Sequence, residues 1–283
     1  MSGRPSPIKA PREDGAILAL PELAAAPEQI RANAAWFARW THDFQGRDVA
    51  RLRAMARSQA LDQSNRFLKQ HGLSTPPAPV SLDLPLVVTG HQPELFHPGV
   101  WIKNFAVAGL ARQVGGWGMN LIVDNDTLKR TSIPVPRWPS HRFTRIDFDS
   151  WNEELPQEDH PVQNEELFES FGRHVEEALR DEVADPLIRT YWPRVLELRR
   201  QTPLTGLCLA LARHQQEVAW GVHNQEVPLS QLCETEAFAW FACHILAHLN
   251  RFRSIHNTAL ESYRRANKIR SRHHPVPALR REG

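Results

Sequence analysis

Cysteine is scarce in this chain, long apolar runs are missing, and the common nucleophile motifs are not found. Three cysteines among 283 residues, with no CxxC pair, disfavour both a disulfide framework and a structural zinc knot. No apolar run approaches the roughly 18 residues that span a bilayer, and the residues before Asp14 have no apolar core of a signal sequence. We therefore expect a cytoplasmic protein with no membrane partner. Without a GxSxG or P-loop pattern, a serine hydrolase or a P-loop ATPase is also disfavoured.

Charge is distributed unevenly along the chain, although the net charge is only +2. Residues 146–186 contain fourteen acidic and two basic residues, whereas residues 251–283 contain nine basic and two acidic residues. The two segments could pair within the fold, or each could form a separately solvated face. The basic segment lacks the interleaved aromatic residues of a single-strand-binding platform, so the pattern disfavours nucleic acid as a partner.

Composition divides the chain into three parts. Residues 1–15, rich in Pro, Gly and charge, are typical of a flexible leader. Residues 16–160 are predicted to hold an α/β core preceded by a pair of helices, the second of which spans about residues 47–72. Residues 161–283 show apolar residues at three- and four-residue spacing almost throughout, which indicates a helical region. We therefore predict an α/β fold with a parallel sheet, an N-terminal helical pair and a large helical C-terminal region.

A strand, a helix and a second strand form the centre of this prediction. Residues 84–89 are a short apolar run, typical of a strand buried on both faces. Pro98 suits the first turn of a helix that runs to Gly115, and residues 121–124 form the next apolar strand. Such a unit has parallel strands and a right-handed crossover in nearly all known folds. Residues 142–149 alternate as a further, half-exposed strand.

Polar residues and glycines follow the first strand, at the place where ligands bind in open parallel sheets. Glycines let the backbone approach a ligand, and the free N–H groups of the helix start suit a phosphate or carboxylate. Histidines there can add hydrogen bonds or stabilise developing negative charge, and a lysine in the second turn can add a cation. The predicted ligand-binding residues are Gly90, Gln92, His97, Gly99 and Lys103, and His91 is a catalytic candidate.

Two carboxylates, Asp124 and Asp126, follow the second strand. If the strands are neighbours, their carboxyl ends bring these aspartates and the histidines to one cleft. Carboxylates there can bind an amine or ribose, act as a general base or hold magnesium, so we predict Asp124 and Asp126, with His91, as catalytic. Alternatively, His91 and His97 cap the helix and the aspartates close a turn. The spacing of these four residues matches no zinc signature, so we predict no metal centre.

A second polar segment, residues 263–277, is rich in arginine and histidine. Arg270 and Arg272 could complete an anion site over the cleft by forking to a carboxylate or phosphate. An exposed basic helix end followed by an extended proline segment accounts for the same pattern. His244 and His248 share a helix face, but the glutamate of an HExxH motif is missing, which favours a packed face over a metal site.

The segment Gly90-His-Gln-Pro-Glu-Leu-Phe-His-Pro98, followed by Lys103 and a strand ending in aspartates, resembles the N-terminal core of the bacillithiol synthase (cysteine-adding enzyme) family. The family usually has glutamine where His91 stands, and Glu-Asp-His-Asp where this chain has Asp124-Asn-Asp126. The resemblance covers about residues 84–130. It implies a Rossmann-like, nucleotidyltransferase-type core with an added helical region, and a ligase-like joining of cysteine to a glucosaminyl-malate.

Two functions from different classes follow. The first is a ligase-like enzyme that joins cysteine or another amine to a small anionic sugar-acid acceptor, with a small anionic molecule or nucleotide at the helix start. The second is a non-catalytic ligand-binding or interaction protein that retains the Rossmann-like fold and uses its helical part as a homodimer surface. The sequence identifies no cofactor.

Overall fold

The structure is a computed structural model that describes residues 11–137, 142–151, 154–180, 182–269 and 276–280. These residues form a mixed α/β fold with a three-stranded parallel sheet, a two-stranded antiparallel hairpin and nine α-helices. None of the helices in these ranges is both long enough and apolar enough to cross a membrane.

The helices and strands alternate in the first half of the chain, and helices dominate the second half. In chain order the elements are α1 (Ala26–Ala38), α2 (Val49–Gln70), β1 (Leu86–His91), α3 (Pro98–Gln113), β2 (Trp117–Ile122), β3 (Ser132–Arg137), β4 (Arg142–Asp147), a 3-10 turn (Gln157–Asp159), α4 (Glu165–Leu179), α5 (Ile188–Arg199), α6 (Thr205–Ala219), β5 (Gln225–Pro228), α7 (Leu229–Cys233), α8 (Glu236–Ala247) and α9 (Leu249–Ala266).

The predicted strand–helix–strand unit is present as β1, α3 and β2. The two strands pair in parallel, with Val88 opposite Met119, and α3 packs against both. The second strand begins at Trp117, four residues before the predicted start, directly after the Gly115–Gly116 pair that ends the helix. Gly90 lets the strands approach, because a Cβ at this position would lie 3.1 Å from the carbonyl oxygen of Leu121. The α/β fold with a parallel sheet is therefore confirmed.

The third strand of the sheet, β5, lies in the segment predicted as helical. It pairs in parallel with β2, so β2 is central and the order is β1-β2-β5. Its residues, Gln225 and Glu226 among them, are buried although they are polar. Each has a buried partner, since Ser64 Oγ donates to Gln225 Oε1 at 2.8 Å and Arg213 pairs with Glu226. The prediction of residues 161–283 as helical is therefore wrong at this strand, which is followed by α7, α8 and α9.

Two hydrophobic clusters hold the elements together. The larger one joins α4, α5 and α6 to the hairpin, and its centre is Trp192, whose ring centroid lies 4.4 Å from that of Phe171. The smaller one contains Trp117, Met119 and Val227 of the sheet. Helix α2 packs against β5, and its buried Phe67 and Leu68 belong to the larger cluster.

A buried ionic network connects α6 to α3 and to the sheet. Arg213 of α6 donates to Glu217 Oε1 at 2.9 Å and to Glu226 Oε2 at 2.7 Å. Glu217 also accepts hydrogen bonds from Trp101 Nε1 of α3, at 2.7 Å, and Glu226 accepts one from Asn120 Nδ2 of β2, at 2.9 Å. The network thus fixes the side of α6 that faces the sheet.

The acidic segment pairs with arginines of the neighbouring helix α5. Arg189 bonds Glu176 at 2.8 Å, and Arg199 pairs with Glu165. The basic segment forms one ion pair among the described residues, and it lies within α9, where Arg265 and Glu261 are 3.0 Å apart. Over those residues the two segments therefore form separate faces.

Candidate functional site

A cleft with a volume of about 430 Å³ opens at the carboxyl ends of β2 and β5. This is the edge at which open α/β sheets bind ligands, and the volume is typical of small-molecule sites, about 300–1,000 Å³. The polar residues that line the cleft come from five separate segments. They include Asp124, Gln157, Glu158, Thr202, Ser230 and Glu234.

Two other cavities have less suitable linings. A cleft of about 490 Å³ between α2 and α8 is larger but mostly apolar, with Leu52, Phe238 and Phe241 among its lining residues. A recess of about 120 Å³ lies beside Arg213, whose charge is already paired with two glutamates. The cleft at the sheet edge is therefore a better candidate for polar chemistry than either of these two cavities.

Asp124 connects the ends of β2 and β5. Its carboxylate accepts the Ser230 N–H at Oδ1, at 3.0 Å, and the Ser230 hydroxyl at Oδ2, at 2.5 Å. The Asp124 side chain is only 9% exposed, and its backbone oxygen accepts the N–H of Glu158 at 2.9 Å. Asp124 thus lines the cleft and also holds the start of α7 and the 3-10 turn in place.

Glu158 is the second carboxylate of this wall. Burial raises the pKa of Glu158, and the nearby carboxylates of Asp124 and Asp159 raise it further, while a hydrogen bond from Ser230 acts in the opposite direction. A carboxyl group with a raised pKa exchanges a proton closer to neutral pH than an ordinary glutamate. Glu158 is therefore the best placed residue in the cleft for general acid or base chemistry.

His71 and Cys233 are two further titratable groups near this wall, in addition to the lining residue Glu234. His71 lines the cleft, and burial lowers its pKa, which favours the uncharged ring at neutral pH. Burial raises the pKa of the Cys233 thiol, as do the charges of Asp124 and Glu158. The wall is therefore anionic, with no cation among these groups.

Asp126 lies in a different environment from Asp124. It accepts hydrogen bonds from Gln92 Nε2 at 2.6 Å and from the Thr127 N–H at 2.9 Å, and Lys129 Nζ lies 3.4 Å away. The hydrogen bond from Gln92 is the largest influence on Asp126, and with Thr127 and Lys129 it outweighs burial and lowers the pKa. Asp126 and Gln92 thus join the loops that follow β2 and β1.

His91 and His97 do not line the cleft. The His91 ring contacts Phe96, with centroids 5.1 Å apart, and its Nδ1 lies 3.2 Å from the backbone oxygen of Gln92. His97 is the N-cap of α3, and its Nδ1 accepts the Gly99 N–H at 3.1 Å. The structure therefore brings Gln92 and Asp126 together, but it does not bring either histidine to Asp124.

The remaining predicted residues lie elsewhere. Lys103 is exposed on α3, and Gly99 lies under the His97 ring. Arg270 and Arg272 lie outside the described residues. The rings of His244 and His248 contact each other at an angle of 41°, with centroids 4.6 Å apart. In the described ranges, no group of three or more His, Cys, Asp or Glu side chains could hold a metal ion.

Among the described residues, Asp124 is the one lining residue of the cleft that was predicted from the sequence, and the residues that were missed include Gln157, Glu158 and Ser230. Gln157 and Glu158 lie in an acidic stretch that carries no motif, and Ser230 follows a strand that was itself missed. The only sequence signal near Ser230 is Pro228, which ends β5.

No protein-family model matches the chain, and neither a curated protein nor a solved structure is significantly similar to it. A functional proposal therefore depends on the geometry of the cleft.

Proposed function

We propose that the cleft binds a small molecule through an amine, and that the protein is a ligase-like enzyme that joins this amine to an acidic acceptor. The observation that supports this function is a pair of carboxylates on one wall of the cleft: Asp124, which is buried, and Glu158, which is half-buried. A partly desolvated anionic wall attracts a cation more strongly than exposed carboxylates do, because the effective dielectric constant is lower.

Glu158 is the proposed base in this reaction. A bound ammonium group donates its proton to Glu158, and the freed amine nitrogen attacks the carbonyl carbon of an acceptor that is supplied as an acyl phosphate. The C–N bond forms, the C–O bond to phosphate breaks, and phosphate leaves with the electron pair and takes up the second proton that the nitrogen loses. Asp124 orients the amine and, through Ser230, keeps the wall in position. A base with a raised pKa suits proton transfer near neutral pH.

The identity of the two reactants is proposed from the resemblance of residues 84–130 to bacillithiol synthases. It favours cysteine as the amine and a sugar acid as the acceptor. We propose that the β1-α3-β2 unit is a Rossmann-like, nucleotidyltransferase-type core, with the acceptor or a nucleotide at the start of α3. Because His97 already accepts the Gly99 N–H, an anion can use that group only if the ring moves aside.

Calorimetric titration with cysteamine, an amine without a carboxylate, tests the amine site. We expect Glu158→Gln to weaken cysteamine binding at pH 7 by tenfold or more, because one of the two carboxylates of the wall becomes neutral. Glu154→Gln, at an exposed glutamate that does not line the cleft, is the matched control and should bind as the wild type does. Equal affinity in both variants, or no binding to the wild type, would exclude the proposed function.

A second function, that of a homodimeric interaction protein, is supported by exposed apolar side chains on α8 and α9. Phe241, Leu246 and Ile255 are 46%, 66% and 58% exposed, and α9 has no buried residue. Two-fold contacts between identical surfaces are the commonest form of oligomer. In sedimentation velocity we expect a dimer that Ile255→Asp converts to a monomer; a monomeric wild type would rule this function out.

A further inference from the structure

Helix α6 begins at the cleft without a capping side chain. Thr202, Leu204 and Leu207, which surround its first turn, line the cleft. The N-cap residue is Leu204, whose side chain has no hydrogen-bond acceptor. Among the described residues, the Thr205 N–H is the one N–H of this turn with a carbonyl partner outside the helix, at 3.0 Å. The first turn of a helix carries free N–H groups and the positive end of the helix dipole, which favour an anion.

Gln157 provides an independent indication of a ligand at the same place. It lines the cleft, is 2% exposed, and neither its Nε2 nor its Oε1 has a hydrogen-bond partner among the described residues. The amide lies against the first turn of α6, because a Cβ on Gly206 would be 2.9 Å from Oε1. Buried amides in folded proteins nearly always have partners, so an unpaired one at a cleft wall indicates a ligand group.

The 3-10 turn places two different side chains at two parts of the cleft. Gln157 lies beside α6, whereas the next residue, Glu158, interacts with Ser230 near β5. One part of the cleft therefore offers hydrogen-bond donors and a helix N-terminus, and the adjacent part offers carboxylates. Because Gln157 and Glu158 are consecutive residues, the two parts of the cleft are adjacent. A ligand that uses both parts must therefore have its anionic group and its cationic group close together.

We infer that the cleft binds a small zwitterion of the α-amino acid class, with its ammonium group at Asp124 and Glu158 and its carboxylate at Gln157 Nε2 and the start of α6. This inference rests on the proposed function for the ammonium group and adds the carboxylate subsite. An anion without an amine meets the repulsion of Asp124, Glu158 and Glu234. An amine without a carboxylate leaves Gln157 unpaired.

The carboxylate subsite is tested with three thiol probes: L-cysteine, cysteamine and 3-mercaptopropionate. Cysteamine lacks the carboxylate of L-cysteine, and 3-mercaptopropionate lacks its amine. In calorimetric titrations of the full chain under reducing conditions, we expect L-cysteine to bind at least tenfold more tightly than cysteamine, and 3-mercaptopropionate not to bind. Gln157→Leu should reduce the affinity for L-cysteine to that for cysteamine, while the affinity for cysteamine stays unchanged. Gln231→Leu, at a glutamine of the same cleft on α7, should preserve the preference for L-cysteine.

The outcomes distinguish this inference from the proposed function. If cysteamine binds as tightly as L-cysteine, the carboxylate subsite is wrong and the amine site stands. If 3-mercaptopropionate binds as tightly as L-cysteine, the ammonium group contributes nothing to binding, and both the amine site and this inference are wrong. If L-cysteine and cysteamine both fail to bind, the amine site and the subsite are both wrong. The comparison of probes on the wild-type chain needs no variant, so it decides the question even if Gln157→Leu does not fold.

Discussion

Replacing Arg213 with methionine is the perturbation for which the structure gives the clearest magnitude. The Arg213 side chain is 4% exposed, and its two partners, Glu217 and Glu226, are 1% and 0% exposed. Methionine fills similar space but removes the arginine charge from both buried carboxylates, and His214, 3.6 Å from Glu226, remains as a titratable neighbour. Removing one partner of a buried ion pair costs about 3–5 kcal/mol. Since folded domains have a free energy of unfolding of about 5–15 kcal/mol, we expect a large loss that urea unfolding followed by tryptophan fluorescence can measure.

The pH dependence provides a second signature. Burial would raise the pKa of Glu226, but the charge of Arg213 outweighs burial and holds that pKa below its usual range. In the wild type, this stabilisation is therefore present above the unfolded pKa and is lost as the pH falls through the folded pKa. In Arg213→Met burial dominates and the pKa rises instead. As the pH is lowered from 7 to 5, the free energy of unfolding of the variant should consequently increase, whereas that of the wild type should not.

The matched control for this experiment is Arg112→Met, at an exposed arginine in the last turn of α3. Exposed substitutions change the free energy of unfolding by about 0.5 kcal/mol or less. A loss below about 1 kcal/mol in Arg213→Met, or a variant that gains no stability as the pH is lowered from 7 to 5, would refute the assigned role of the network.

Three further predictions follow from individual contacts. Asp124→Ala should lower the free energy of unfolding by about 1–3 kcal/mol, measured by urea unfolding, because it leaves the Ser230 N–H without its acceptor; an unchanged value would show that the contact is dispensable. Gly172→Ala should destabilise by about 1–3 kcal/mol, measured by thermal unfolding, because its Cβ would lie 2.8 Å from Trp192 Cδ1; ordinary stability would contradict this packing. Alkylation of Cys233 by iodoacetamide at pH 8 should be faster in Asp124→Asn, because the nearby charge raises the thiol pKa; an unchanged rate by mass spectrometry would exclude that influence.

The central part of the fold could be predicted because its elements have strong local patterns. The apolar run before Gly90 predicts β1, and the proline at residue 98 predicts the start of α3. The elements β1, α3 and β2 are present in the predicted order. Strand β3 was missed because Pro134 and Pro136 interrupt its pattern. In a two-stranded hairpin a proline can occupy a position that needs no ladder hydrogen bond, so the strand tolerates both.

Strand β5 could not be predicted because its burial depends on distant partners. The sequence Gln225-Glu-Val-Pro228 has one aliphatic residue between polar and proline neighbours, which is typical of a surface turn. The strand is buried only because Ser64, Asn120 and Arg213 pair with its polar side chains. No local pattern of hydrophobicity records partners that are far away in sequence.

Of the site residues predicted from the sequence, Asp124 is the one among the described residues that lines the cleft. Asp124 follows a recognisable strand, so the sheet edge could be predicted from it. His97 is the N-cap of α3. Helix capping by this histidine was the alternative to ligand binding that the sequence predicted. Gln157 and Glu158 reach the cleft through the 3-10 turn, whose backbone bonds to Asp124 and Asp126 depend on the tertiary fold.

The position of β5 in the chain has a consequence for biosynthesis. A nascent chain that has left the ribosome as far as β2 can form the β1-α3-β2 unit, yet the outer edge of β2 has no partner until Gln225–Pro228 has been synthesised. Unpaired strand edges are templates for intermolecular association. Stalled or prematurely terminated translation products should therefore aggregate, and chaperone contact should be strongest while α4 to α6 are being made.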